Sequence, residues 1–188
     1  MTIAIDMDNV LCNLQEVVVN LFNERYSTSY TLDDFTDYDV AQILPKNEAV
    51  LMKTMYGEDN LYSNIKPLLG AQNAIEKLIN AGHQVYVVSD VIPKTYAEKV
   101  EWLRFYFPQI DEAHIVAMKH KHMFRCDIMI EDNLANLLAN PYYHRICLNY
   151  PWNEAKKDWD WVHEIHRCYN WNDIVVAVNK IKTESDVY

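Results

Sequence analysis

The sequence predicts an α/β fold: a Rossmann-like core of parallel strands with a small helical cap inserted after the first strand. Three observations carry this expectation. Short β-rich apolar runs alternate with stretches of helical period, the rhythm of a parallel sheet covered on both faces. That rhythm breaks once, over residues 16–65, where helical or irregular sequence rich in Tyr and Asp separates the first strand from the second. Half of the 188 residues are hydrophobic and only 23% are charged, which suits a folded chain with one substantial core.

The elements follow in order. Residues 3–6 read as a strand, and Leu11, Leu14, Val18, Leu21 and Phe22 then mark a helix over residues 11–25. Residues 70–81 read as a second helix, stopped by Gly82. Residues 84–89 form the next strand, and Pro93 opens a helix over residues 95–107 that Pro108 closes. Residues 115–117, 127–130 and 145–148 are three further short strands, and residues 171–181 a closing helix. The core domain therefore comprises residues 1–15 and 66–188, with residues 16–65 as the cap. An insertion at that point lies over the carboxyl ends of the strands, where it can exclude water from a site.

Charge narrows the function. A formal net charge of −10 argues against binding a nucleic-acid polymer, which calls for a basic surface. It leaves room for a small phosphate ester held by a divalent metal and a few basic groups. Cys12, Cys126, Cys147 and Cys168 are scattered without C-x-x-C spacing, so reduced thiols are expected rather than a metal knuckle or a disulfide scaffold. No apolar run approaches membrane-spanning length and no basic leader precedes the first strand, so no membrane partner is expected and the cytoplasm is the default location.

The chemistry is signalled at the strand ends. Asp6 and Asp8 leave the first strand two residues apart, a spacing that directs both carboxylates into one small volume. Alone, they read equally well as turn or helix caps. Ser89-Asp90 ends the second strand, Glu131-Asp132 ends a later one, and Lys121 lies 11 residues before Asp132. In an open α/β sheet all of these face one crevice. Taken singly, Ser89 reads as a cap and Lys121 as a surface lysine with Lys119 as a competitor. Glu131 and Asp132 read as caps for a helix starting near Leu134. His120 and His122, beside Lys121, are expected to lie in a solvated loop.

In this order the four groups resemble the signature of the haloacid dehalogenase superfamily of phosphatases. The closest resemblance within it is to the 5′(3′)-deoxyribonucleotidases, the cytosolic type C nucleotidases. It rests on residues 6–11 (Asp-Met-Asp-Asn-Val-Leu), 65–71, 98–102 and 127–132. The resemblance implies that Asp6 is the nucleophile and Asp8 the general acid/base. It implies that Asp6, Asp132 and the backbone carbonyl of Asp8 hold Mg²⁺, with Glu131 behind them, and that Ser89 and Lys121 bind the phosphoryl group. The substrate would be a nucleoside monophosphate, with Phe35 and Tyr56 of the cap touching it and Leu14 standing where the family often has an aromatic. A homodimer is compatible with this reading.

Two departures stand out. Asn9 replaces the family's usual Gly, and Asn tolerates positive φ better than most residues. Asp90 follows Ser89 where a small neutral residue is usual, and its carboxylate would repel phosphate unless it turns away or binds a cation. The alternatives are a phosphatase of the same superfamily acting on another small phosphate ester, and a phospho-acceptor signalling or binding module. The latter places its acceptor after a central strand, whereas Asp6 follows the first.

Overall fold

A computed structural model describes residues 1–139, 144–154, 158 and 163–185. Six parallel strands form one sheet: β1 (Thr2–Ile5), β2 (Gln84–Ser89), β3 (Ile115–Ala117), β4 (Ile128–Glu131), β5 (His144–Leu148) and β6 (Ile165–Cys168). Their spatial order is β3-β2-β1-β4-β5-β6. From β1 the chain first builds outward through β2 and β3, then returns to add β4, β5 and β6 on the other side. The switch point therefore falls at the carboxyl ends of β1 and β4, where ligands bind in folds of this kind. β6 was not anticipated: Ile165-His166-Arg167-Cys168 has a polar middle, as suits an edge strand.

Side-chain alternation divides the core into two clusters. Ile3, Ile5, Val85, Val87, Ile128 and Ile130 point to one face, while Ala4, Val88, Met129 and Cys147 point to the other. Helices α1 (Leu14–Tyr26), α2 (Lys46–Met55), α3 (Ala71–Asn80), α4 (Tyr96–Tyr106) and α7 (Trp171–Ser185) all contribute buried side chains to the first cluster. The short α5 (Leu134–Leu138) covers the second, and α6 (Pro151–Glu154) follows β5. On α3, Ala71, Ala74, Ile75 and Leu78 form the buried stripe. Its end is a Schellman turn: Gly82, at φ 82°, donates to Ile79 O, and His83 N–H reaches Leu78 O at 3.1 Å.

Between β1 and α3 the chain forms α1, two 3₁₀ turns (Leu32–Asp34 and Val40–Gln42), α2 and a third 3₁₀ turn (Leu61–Asn64). Its Phe35, Met52, Met55 and Tyr62 join the same buried cluster as the sheet residues Ile3 and Ile5, so this segment is welded to the core by apolar packing. All four cysteines are buried and free, as expected of small hydrophobes in a reduced chain. Among the described residues no helix is long and apolar enough to cross a membrane.

Candidate active site

The β1 ladder ends with Asp6 N–H donating to Ile130 O at 2.9 Å, after which the backbone wraps around one acceptor. Met7 O accepts from the N–H groups of Val10, Leu11 and Cys12 at 2.9–3.3 Å. Asn9 makes the turn in the left-handed region, φ 57°, and so meets the backbone demand that a Gly would otherwise satisfy. Asp6 is left buried and Asp8 partly exposed at the mouth of the crevice.

Two lysines sort the carboxylates. Lys121, in the 3₁₀ turn Lys121–Met123, is buried and lies 2.7 Å from Asp6 Oδ1 and 3.0 Å from Glu131 Oε2. Burial alone pulls its ammonium pKa down, but Asp6 and Glu131 more than offset this and the net shift is upward. Lys119 and the flanking His120 and His122 are exposed, so Lys121 is the one that reaches the acids. Asp6 Oδ1 also accepts from Met7 N–H at 2.7 Å.

The second lysine, Lys99 of α4, carried no expected role. Its Nζ donates to Asp8 Oδ2 at 2.6 Å, to Ser89 Oγ at 2.9 Å and to Asp90 O at 2.7 Å. A signal for it existed: Lys99, Trp102 and Leu103 occupy i, i+3 and i+4 of one buried helix face, a place where an unpaired charge would be costly. Asp8 Oδ1 accepts from Tyr62 OH at 2.8 Å, another contact that local sequence could not reveal. Ser89 acts as a partner of Lys99 rather than as a helix cap. Asp90 offers Lys99 its backbone carbonyl, while its side chain is exposed and lines the adjoining cavity.

One oxygen each from Asp6, Glu131 and Asp132 lies within 4.8 Å of the others, a spacing that suits a metal ion. All three groups are buried. Burial and the nearby Asp6 charge raise the pKa of both Glu131 and Asp132. Glu131 is occupied by Lys121 and by the Asn136 amide, whereas Asp132 Oδ2 takes Trp152 Nε1–H at 3.1 Å and Asn9 Nδ2–H at 3.4 Å. Neither acid caps α5; Asn133 does so, accepting from Ala135 N–H at 2.9 Å. The Asp8 carboxylate stands outside this group, turned to Lys99 and Tyr62.

Beside the acids opens a cavity of about 450 Å³. Its lining combines Asp8, Asn9, Asp90 and Lys99 with the rings of Phe35, Tyr38, Tyr56 and Tyr62, and with Leu14, Gln15 and Trp152. Phe35 is almost wholly buried and meets Tyr30 edge-on, with ring centroids 6.2 Å apart. Tyr56 OH donates to Gln15 Oε1. Tyr26 and Tyr30 serve packing: both rings lie against Phe22.

The same residues match known proteins. Residues 1–184 match the family described as 5′ nucleotidase, deoxy (Pyrimidine), cytosolic type C protein. The 5′(3′)-deoxyribonucleotidase of Bacillus subtilis is 31% identical over 137 residues, covering 72% of this chain and 77% of that protein, and the protein of the same description from Bacillus phage SPbeta matches equally. Among solved structures, a haloacid dehalogenase family hydrolase from Deinococcus radiodurans, crystallised with phosphate and sodium, superposes with a TM-score of 0.66 at 16% identity, covering 96% of each chain. A haloacid dehalogenase-like hydrolase from Streptococcus pneumoniae gives 0.65 at 12% identity, covering 94% of this chain and 97% of its own. At these identities the structural likeness speaks to the fold.

Proposed function

We propose, from the premise that the chain belongs to the cytosolic type C 5′ nucleotidase family and is a phosphoric monoester hydrolase of the haloacid dehalogenase type, that it dephosphorylates nucleoside monophosphates, deoxyribonucleotides above all, with Mg²⁺ and through an aspartyl phosphate. The observation that carries this reading is the convergence of Asp6, Asp8, Lys99, Lys121 and the 131–132 acid pair beside one aromatic-walled cavity. Residues 16–65 act in it as a cap, and residues 1–15 and 66–188 as the catalytic core.

The residues fit Mg²⁺. Three buried carboxylates lie together, and among the described residues the lysine paired with them, Lys121, engages Asp6 and Glu131 while Asp132 takes its side-chain hydrogen bonds from Trp152 and Asn9. An all-oxygen set of this kind suits a hard cation. Asp6, Asp132 and the Asp8 backbone carbonyl would hold it, where it would offset the repulsion between an anionic nucleophile and an anionic phosphate.

Asp6 attacks phosphorus, forming an O–P bond as the bond to the sugar oxygen breaks; Met7 N–H and Lys121 hold its other oxygen and fix the direction of attack. Asp8, at the mouth of the crevice, serves as the acid once Lys99 has turned from it to the phosphoryl group and Asp8 has taken up a proton, which it passes to the departing sugar oxygen. It then takes a proton from the water that attacks the phosphoryl group and releases Asp6. Ser89, Lys99 and Lys121 donate to the phosphoryl oxygens as charge rearranges. Phe35 and Tyr56 flank the base, whose flat apolar faces suit an aromatic wall with a polar rim.

The test is phosphate release from a panel of ribo- and deoxyribonucleoside monophosphates and common sugar phosphates, each with Mg²⁺ and with chelator. Release should favour deoxyribonucleotides and vanish with chelator. Equal rates on nucleotides and sugar phosphates would refute the nucleotide reading, and metal-independent turnover would refute the Mg²⁺ reading.

A further inference from the structure

Among the described residues, the side chains that hydrogen-bond Asp132 are neutral donors outside the catalytic set, whereas Lys121 pairs directly with Asp6 and Glu131. Trp152 Nε1–H and Asn9 Nδ2–H converge on the same oxygen, Oδ2, at 3.1 and 3.4 Å. These two donors fix the orientation of the Asp132 carboxylate, one oxygen of which lies within 4.8 Å of an oxygen of Asp6 and of Glu131. We propose that Trp152 and Asn9 form a clamp that positions Asp132 for the divalent cation, Trp152 as the main positioning residue and Asn9 as the lesser one. The proposal rests on the metal reading given above and assigns to these two side chains a role that reading does not need.

The surroundings are built to hold the clamp still. Trp152 sits on α6, directly after the β5 strand, and is almost completely buried. Its indole lies flat on Tyr150, with ring centroids 4.3 Å apart and planes 4° from parallel. The neighbouring Asn153 donates through Nδ2 to Asp132 O and to Leu148 O, each at 2.9 Å, and its Oδ1 accepts from Arg167 at 2.6 Å. The loop after β5 is thus stapled to the backbone of Asp132 while Trp152 holds its side chain. A buried indole N–H needs an acceptor, and this one has been given a carboxylate oxygen.

Asn9 ties the other side. Asn13, at the start of α1, makes no capping bond; its side chain is spent on Glu16 and on Lys66 N–H. Asn9 Oδ1 accepts instead from Gln15 N–H at 2.8 Å, in the first turn of α1, while its Nδ2 reaches Asp132. A Gly at this position would satisfy the backbone at φ 57° but could make neither bond. The substitution of Asn for Gly therefore adds a link between the β1 loop, the cap's first helix and the metal-binding acid. Partners that orient a metal ligand are commonly worth tenfold or more in metal affinity.

The experiment is calorimetric titration of the protein alone with MgCl₂, for wild type, Trp152→Phe and Asn9→Gly. Trp152→Phe keeps an aromatic ring on Tyr150 while removing the N–H donor, at the cost of a smaller buried side chain; Asn9→Gly keeps the left-handed turn. Trp152→Phe should weaken Mg²⁺ binding by about tenfold and Asn9→Gly by less, in keeping with its longer contact. A second readout needs no variant to stay active: of the five indole N–H resonances of ¹⁵N-labelled protein, the one missing in Trp152→Phe should move on adding Mg²⁺ to wild type, with the half-saturation of the heat signal. Wild-type affinity in both variants with a stationary indole resonance overturns the clamp while leaving the metal site intact. Absence of any Mg²⁺ heat in wild type overturns the metal reading and the clamp together.

Discussion

At the carboxyl ends of β1, β2 and β4, Asp6, Asp8, Lys99, Lys121 and Glu131 are paired at 2.6–3.2 Å, and removing any one leaves another charge short of its partner. Around the cavity, the cap offers rings, namely Phe35, Tyr38, Tyr56 and Tyr62, whose contribution lies in area and shape. The two regions therefore differ in how they tolerate change. Paired charge in a low-dielectric site acts as a unit, so single losses are large and far from additive. An aromatic wall loses contact area by degrees. Tyr62 is the exception that joins them, since its hydroxyl crosses from the cap to Asp8.

Variants can break or sharpen this contrast. The largest effect is expected for Asp6→Asn, which keeps the side-chain volume and removes the nucleophile: multiple turnover should fall by about 10⁴-fold or more, with the circular dichroism spectrum unchanged. Next comes Lys99→Met, which keeps the apolar stem on the buried face of α4 and deletes the donor shared by Asp8 and Ser89. A loss of roughly 10²–10³-fold in kcat, measured by phosphate release, is expected from removing a donor aimed at developing charge. Phe35→Ala and Tyr56→Ala should each weaken nucleotide use by about 1–3 kcal/mol, the worth of a base–aromatic contact, with a much smaller effect on a small aryl phosphate.

The smallest effect lies outside both regions and concerns stability alone. His83, just before β2, is buried with neither ring nitrogen bonded to any of the described residues, and burial holds its pKa below the ordinary 6.5. The folded state resists protonating it, so the unfolded state binds more protons as pH drops below about 6.5, and the contribution of His83 to stability should decline there. Glu131 and Asp132, with raised pKa values, act in the opposite sense, so the test is the difference: in thermal unfolding between pH 7.5 and 5.5, wild type should lose stability relative to His83→Met as pH falls, with activity at pH 7.5 unaltered.

Much of the core was legible because its information is local. The Asp6-Met7-Asp8 spacing, the strand ends at Ser89 and at Glu131-Asp132, and the apolar stripe of α3 are all written in short windows of sequence. Lys121 could be chosen over Lys119 only through the resemblance, and the structure gives the physical reason in its burial against Asp6 and Glu131. Lys99, Tyr62 and Trp152 escaped because their partners lie 91, 54 and 20 residues away; helical period could mark Lys99 as buried, but not what it meets. β6 escaped for the opposite reason: its central His166 and Arg167 hide an edge strand from any hydrophobic pattern. In the cap, core packing and cavity lining use the same aromatic residues, and only the fold separates Tyr30 from Tyr56.

The measurement that bears most directly on the division of labour is the ratio of kcat/KM for a deoxyribonucleoside monophosphate to kcat/KM for a small aryl phosphate, determined at saturating Mg²⁺ for wild type, Lys99→Met, Phe35→Ala and Tyr56→Ala. If the core performs the chemistry and the cap selects the leaving group, Lys99→Met lowers both values and leaves their ratio within about twofold, while each cap variant lowers the ratio by about fivefold or more. Equal losses on both substrates in the cap variants would contradict the account, because Phe35 and Tyr56 would then merely support the fold.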